Sequence, residues 1–226
     1  MSAHNKNRGT SILRHTLLWL LIAAAVGGGI YGMVKIASRP VQNSGAAITV
    51  PPLAENDWVK GGRAARTVLI EYSDFQCPAC AFYYPYLKRL SEEFGDDLAI
   101  IYRHFPLPMH QNAKAAAAAA DAAGRQGKFW EMHDAIFDSQ RLWEGSKDAS
   151  EFFATRAQEL GLDVEKFKAD MGSDEARDAV RAAYQASVRM GLNSTPTLFL
   201  NGRLLVNPRS YEDLRNAVTE AINAKP

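Results

Sequence analysis

Apolar residues without a single charge fill positions 16–34, TLLWLLIAAAVGGGIYGMV. At about 1.5 Å per helical residue this run nearly matches a hydrocarbon core of about 30 Å. It predicts a membrane-spanning signal-anchor over residues 16–37, behind a basic amino terminus of residues 1–15. Trp19 and Tyr31 fall near its two ends, where an aromatic belt lies. The run exceeds the ~7–15 residues of a cleavable signal core, and no A-x-A site precedes a polar start, so an anchor is expected over a cleaved signal. Gly28 and Gly32 have GxxxG spacing, read here as a coincidence of a glycine-rich stretch. Residues 38–57, rich in Gln, Asn, Ser, Gly and Pro, read as a linker, and the working domain as 58–226.

Within that domain the hydrophobic pattern changes period twice. Residues 66–73, RTVLIEYS, form a β-branched and aromatic run expected of a buried strand. After Cys77-Pro78-Ala79-Cys80, Phe82, Tyr83, Tyr86, Leu87, Leu90 and Phe94 recur at helical spacing until Gly95. Pro78 suits the first helical turn, where its missing N–H costs nothing. Residues 98–104, LAIIYRH, predict a second buried strand ended by Pro106 and Pro108. Helices follow over 113–123 (nearly all alanine), 128–137, 149–160, 164–171 and 174–190, separated by glycines and acidic caps. Strands return at 197–200 and 203–206 around Asn201-Gly202, a hairpin turn signal. Ser210 to Asp213 opens a last helix with a capping-box pattern. The order is β-α-β, about five helices, then β-β-α: a mixed sheet with a helical insertion at about 107–192.

Composition adds a compartment. The 226 residues are 47% hydrophobic and 23% charged, which excludes wholesale disorder. The net charge of +1 is uneven, since residues 1–39 hold five bases and no acid. The remainder has 21 basic against 25 acidic residues, so nothing favours nucleic acid. The flanking bases, three before the apolar run and two after, lean toward a cytoplasmic amino terminus. A single span then puts the domain in oxidising surroundings, where a lone cysteine pair can persist as a disulfide.

That pair is Cys77 and Cys80, the only cysteines. At a strand-to-helix junction the first cysteine meets unpaired N–H groups and the positive end of the helix dipole, which stabilise a thiolate. Cys80, one turn further in, can close an intramolecular disulfide and release a mixed-disulfide partner. Two other readings stay open. A zinc site would need two more ligands from His104, His110 and His133. A purely structural disulfide would close so small a loop that it removes little chain entropy.

Four segments in order, EYSDFQCPAC (71–80), YRHFPLPMH (102–110), GKFWEMH (127–133) and STPT (194–197), resemble the DsbA-like branch of the thioredoxin superfamily, membrane-anchored bacterial type. The resemblance covers residue 56 to the carboxy terminus. It implies an α/β thioredoxin-like fold, a mixed central sheet with an inserted helical domain. It also implies roles. Pro196 matches the family's cis-proline beside the cysteine pair. Thr195 would offer backbone groups to an extended substrate, with Pro78 and Ala79 beside it. Glu71 matches the buried carboxylate that assists proton transfer at the second cysteine; a glutamate on an edge strand in water is the alternative. Ala79 departs from the histidine of the best-known oxidase, so a less oxidising pair than that enzyme's is expected. His110 is expected to face solvent as a helix cap, and Trp130 and Trp143 to be packing residues. Asn193-Ser194-Thr195 matches a glycosylation sequon but abuts the site, so it is discounted.

The expected function is thiol-disulfide exchange on exported proteins, most simply disulfide formation, in the bacterial inner membrane with the catalytic domain on the periplasmic side. The resemblance implies reduced exported proteins as substrates and a membrane-embedded redox partner of the DsbB or vitamin-K-epoxide-reductase type, with no cofactor and no metal. A disulfide reductase or isomerase is the nearest rival. A copper- or zinc-binding module and a redox-inert adaptor are rivals of other classes.

Overall fold

Strand β2 (Thr67–Ser73) is the middle of a five-stranded sheet and the element on which the site is built. The computed structural model describes residues 48–206 and 208–224. The apolar run of residues 16–34 and the GxxxG pair lie outside them. No helix among the described residues is long and apolar enough to cross a membrane.

The sheet order is β1 (Trp58–Gly61), β3 (Leu98–His104), β2, β4 (Thr197–Leu200), β5 (Arg203–Leu204). β2 runs parallel to β3, with Thr67 opposite Leu98, and antiparallel to β4, with Glu71 opposite Leu198. β1 and β5 are antiparallel edges. Both faces of β2 and β3 are covered, which is why their sequences are continuous apolar runs rather than alternating ones. Helix α1 (Pro78–Phe94) and the last helix, α8 (Tyr211–Asn223), bury Leu87, Leu90, Leu214 and Val218 with Leu69, Ile100 and Leu198 of the sheet. Ser210 and Asp213 form the capping box at the start of α8.

The insertion comprises α2 (Ala113–Gly124), α3 (Phe129–Asp138), α4 (Gln140–Trp143), α5 (Ser150–Glu159), α6 (Val164–Met171) and α7 (Asp174–Arg189). The alanine helix α2 is buried at eight of its twelve positions. Small side chains let its neighbours pack close on several sides. Its one acid, Asp121, accepts hydrogen bonds from Trp58 Nε1 at 2.8 Å and faces His104 Nε2 at 3.0 Å. Trp58 stacks on Phe129 with ring centroids 4.5 Å apart. A Cβ at Gly124 would fall 2.4 Å from the Trp58 ring, so the helix must end there on a glycine. Trp143 is fully buried and donates to Ile136 O at 3.0 Å, and Trp130 donates to Val59 O at 2.9 Å; both are packing residues.

Residues 48–57, read as linker, lie against the domain. Ile48, Val50 and Leu53 pack on a cluster containing Ile70, Phe105 and Phe199. Arg103 fastens the segment, donating to both carboxylate oxygens of Asp57 at 3.0 and 2.7 Å and to Pro51 O and Pro52 O at 2.9 and 2.8 Å. Removing a largely buried guanidinium strands the Asp57 carboxylate and two carbonyls. Arg103→Ala is expected to destabilise the domain by about 2–3 kcal/mol in urea unfolding; a loss under about 0.5 kcal/mol would show that the strap is only loosely held.

Candidate active site

Cys77 is the N-cap of α1, with extended backbone (φ −73°, ψ 122°), and Pro78 opens the first turn. A cap is normally a side chain that accepts from the helix's free N–H groups. Cys77 makes no such bond. Its sulfur instead lies 3.4 Å from the Thr195 carbonyl oxygen, to which the thiol donates. The Thr195–Pro196 peptide is cis. Both cysteines are unlinked thiols; Cys77 is 7% exposed and Cys80 wholly buried, while Pro78 and Ala79 between them are exposed.

The two thiols are electrostatically unequal. The Cys80 thiol donating to the Cys77 sulfur is the largest influence bringing the Cys77 pKa down to about 5, against the opposing effect of burial. The Thr195 hydroxyl and the N–H groups of Cys80 and Ala79 add to it. Cys80 moves the other way. Burial pushes its pKa well above the ordinary thiol range, and the charges of Glu71 and Cys77 reinforce this.

Glu71 is on the middle strand and 3% exposed, so it is not an edge-strand glutamate in water. It accepts from Ser73 Oγ at 2.7 Å. Burial raises its pKa to about 7 despite that bond, with the charge of Cys77 adding a smaller push. A narrow cleft lined by Glu71, Lys60, Lys88, His133 and Asp134 runs beside it, with about 10 Å³ of space, close to the room one water needs.

Sequence reasoning missed the residues that hold the loop before Cys77. Asp74 has a fully buried side chain that accepts from Gln76 N at 2.8 Å and Leu107 N at 2.7 Å. His110, expected to cap a helix in solvent, lies with Nδ1 2.7 Å from that same carboxylate and is largely buried. A buried acid attracts the nearest cation-capable group, and that partner is 36 positions away. The Asp74-to-Gln76 bond is an Asx-turn, a signal the sequence does carry. Gln140 donates to Phe75 O and Cys77 O at 2.7 and 3.1 Å. Among the described residues no group of three or more His, Cys, Asp or Glu side chains is placed to hold a metal ion. His104, His110 and His133 are each engaged with a different aspartate.

Hollows flank the cysteine pair on two sides. One, of about 230 Å³ beside Pro196, is lined by Tyr83, Leu192, Leu198, Leu204 and Val206. The other, of about 730 Å³ beside Pro78, is lined by Phe82, Phe137, Arg141 and Leu142. Phe82, Leu142, Leu204 and Val206 are exposed. Exposed apolar side chains gathered in one place are the kind of surface on which docking is expected.

Comparison with known proteins agrees with this architecture. The oxidised form of BdbD from Bacillus subtilis is similar in structure, with a TM-score of 0.69 and 19% identity over 79% of this chain and 99% of that one. Alpha-DsbA1 from Wolbachia pipientis gives a TM-score of 0.67 at 19% identity, over 75% and 92% of the two chains. In sequence, the chain is 37% identical over 185 residues to the Na(+)/H(+) antiporter NhaA 1 of Mycolicibacterium vanbaalenii, a match that takes in 80% of this chain and 29% of that protein. The chain spans less than a third of the length of the curated relatives it matches. The family model described as Thioredoxin matches residues 53–220. With that match over most of its length, and a cysteine pair opening the helix after the central strand, the chain belongs to the thioredoxin family.

Proposed function

We propose that this protein is a thiol-disulfide oxidoreductase that forms disulfides in exported proteins, held by its amino-terminal apolar segment in the bacterial inner membrane with the catalytic domain on the periplasmic side. The observation that carries this reading is the inequality of the two thiols: one at a helix N-terminus beside the Thr195 carbonyl, the other buried near an ionisable carboxylate. A structural disulfide or a packing cysteine has no need of either feature.

The cycle begins with the Cys77–Cys80 disulfide. A substrate thiolate attacks the Cys77 sulfur, forms a mixed disulfide and expels Cys80 as a thiolate. That leaving group is poor while charged, and protonated Glu71 supplies the proton. A second substrate thiolate attacks the substrate's sulfur in the mixed disulfide and expels Cys77, whose low pKa makes it a good leaving group. Two substrate thiols have become one disulfide, and the enzyme holds two electrons as a dithiol. A membrane-embedded partner of the DsbB or vitamin-K-epoxide-reductase type would remove them. Thr195, Pro196, Pro78 and Ala79 form the surface the substrate backbone meets, with the hollow beside Pro196 taking a neighbouring side chain.

The antiporter name belongs to proteins of which this chain matches only 29%, and ion transport is no part of this proposal. The test is stoichiometric: the oxidised full chain, mixed in detergent with a reduced two-cysteine peptide, should convert one equivalent to its disulfide. Recovery of unreacted peptide dithiol would overturn the oxidase reading.

A further inference from the structure

The N-cap position of α1 has a problem that the insertion solves. The Cys77 side chain makes no cap bond of the kind a Ser or Asp forms. Nothing in the side chain therefore fixes the backbone turn that aims the sulfur. The fixing comes from α4, which has only one turn. Gln140, itself 7% exposed, donates from one amide nitrogen to Phe75 O at 2.7 Å and to Cys77 O at 3.1 Å. Those carbonyls lie either side of Gln76. The Cys77 carbonyl also accepts the first bond of the helix, from Ala81 N at 3.1 Å.

The far end of α4 holds the residue between. Gln76 Nε2 donates to Glu144 O at 2.8 Å, and Gln76 Oε1 accepts from Asn112 N at 2.6 Å. Asn112 ties back by donating from Nδ2 to Ser146 O at 2.8 Å and Trp143 O at 3.3 Å. The short helix is thus a bracket, fastened at both ends to the nucleophile and the two residues that lead into it.

We infer that Gln140 is a positioning residue for Cys77, acting from the insertion in place of the side-chain cap bond that Cys77 does not make. Through it the insertion sets how the sulfur is held against the N–H groups of α1. This rests on the reading of Cys77 as the nucleophile.

Two variants test it in the full chain. Gln140→Met keeps length and removes the donor; Gln140→Glu keeps shape and sets a carboxylate against two carbonyls. The readouts are the thiolate ultraviolet absorbance against pH and the unfolding midpoint. The Cys77 ionisation is expected to move up by about half a unit or more in the Met variant, about a threefold loss of thiolate at a fixed pH below the midpoint. The Glu variant should move further. Gln126→Ala is the control, since Gln126 bonds the Asp163 backbone within the same insertion without touching the bracket. It should lower the unfolding midpoint and leave the ionisation where it is. Should either folded Gln140 variant lose stability and titrate like the wild type, Gln140 only packs and the inference is overturned. A wild-type chain that exchanges no disulfide removes the oxidoreductase reading itself, a result separate from wild-type exchange with unmoved variants.

Discussion

Cys77→Ser is expected to abolish disulfide exchange, with turnover falling roughly 10³-fold or more, while the domain stays folded. A hydroxyl in place of this sulfur is not ionised near neutral pH and forms no disulfide, so neither attack nor resolution has an atom to pass through. The fold has little to lose, because the Cys77 side chain makes no cap bond and a hydroxyl can also donate to the Thr195 carbonyl. Cys80→Ser should behave differently. Cys77 keeps its place at the helix N-terminus and still attacks a substrate disulfide, but without its intramolecular partner the mixed disulfide accumulates and can be counted by mass. The rival classes give other outcomes. A metal-binding module would lose only part of its metal uptake on Cys77→Ser, and a redox-inert adaptor would keep its partner. Exchange persisting in Cys77→Ser at wild-type rates would end the enzyme reading.

Glu71→Gln should make the domain more stable at pH 8 and slower in exchange. The native carboxyl titrates at about 7 against an ordinary value of 4.5. Between those values the folded protein holds a proton that the unfolded chain has released, so wild-type stability falls as pH rises through that window. The shift corresponds to about 3 kcal/mol, fully lost once pH exceeds about 7. A glutamine is neutral throughout and removes the slope. Urea unfolding should therefore show little difference between the proteins near pH 4.5 and up to about 3 kcal/mol in favour of Glu71→Gln at pH 8. The same change removes the proton donor and acceptor under Cys80, and the step that forms or frees the Cys80 thiolate should slow by about 10²-fold. Parallel stability curves would mean that Glu71 is ionised in the fold and plays no part in the proton transfer.

What could be read in advance follows the range of the interactions involved. The strands at 98–104 and 197–200 and the helix at 164–171 have the bounds expected of them. Their limits are set locally, by prolines after His104, by Asn201 in the left-handed region and by the Asp163 cap. β1 was not anticipated. Its four residues, WVKG, alternate weakly, and they are a strand only because β3 offers them an edge. The expected strand over 203–206 pairs for just two residues, at Phe199 and Leu200. The linker likewise has no periodicity to announce that Arg103, some 50 positions on, holds it down.

The site divides the same way. The placing of the cysteine pair at a helix start was legible because strand, CxxC and Pro78 are neighbours in sequence. Glu71, Thr195 and Pro196 were legible only through the four-segment resemblance, since nothing local says that residue 195 returns to residue 77. The bracket of Gln76, Asn112 and Gln140 left no trace at all. Glutamine and asparagine amides bonded to backbone carbonyls more than 30 positions away carry no pattern, and α4 is too short to show a helical period.

The central claim is that the Cys77–Cys80 pair is an oxidant for exported proteins, tempered by Ala79 where the best-known DsbA-like oxidase has a histidine. Its most direct test is the reduction potential of the pair, taken by equilibrating the full chain in glutathione buffers and counting free thiols by mass. The account predicts a value between about −120 and −200 mV, below that oxidase and well above a thioredoxin. A value near or below about −270 mV would contradict it and make the protein a reductase.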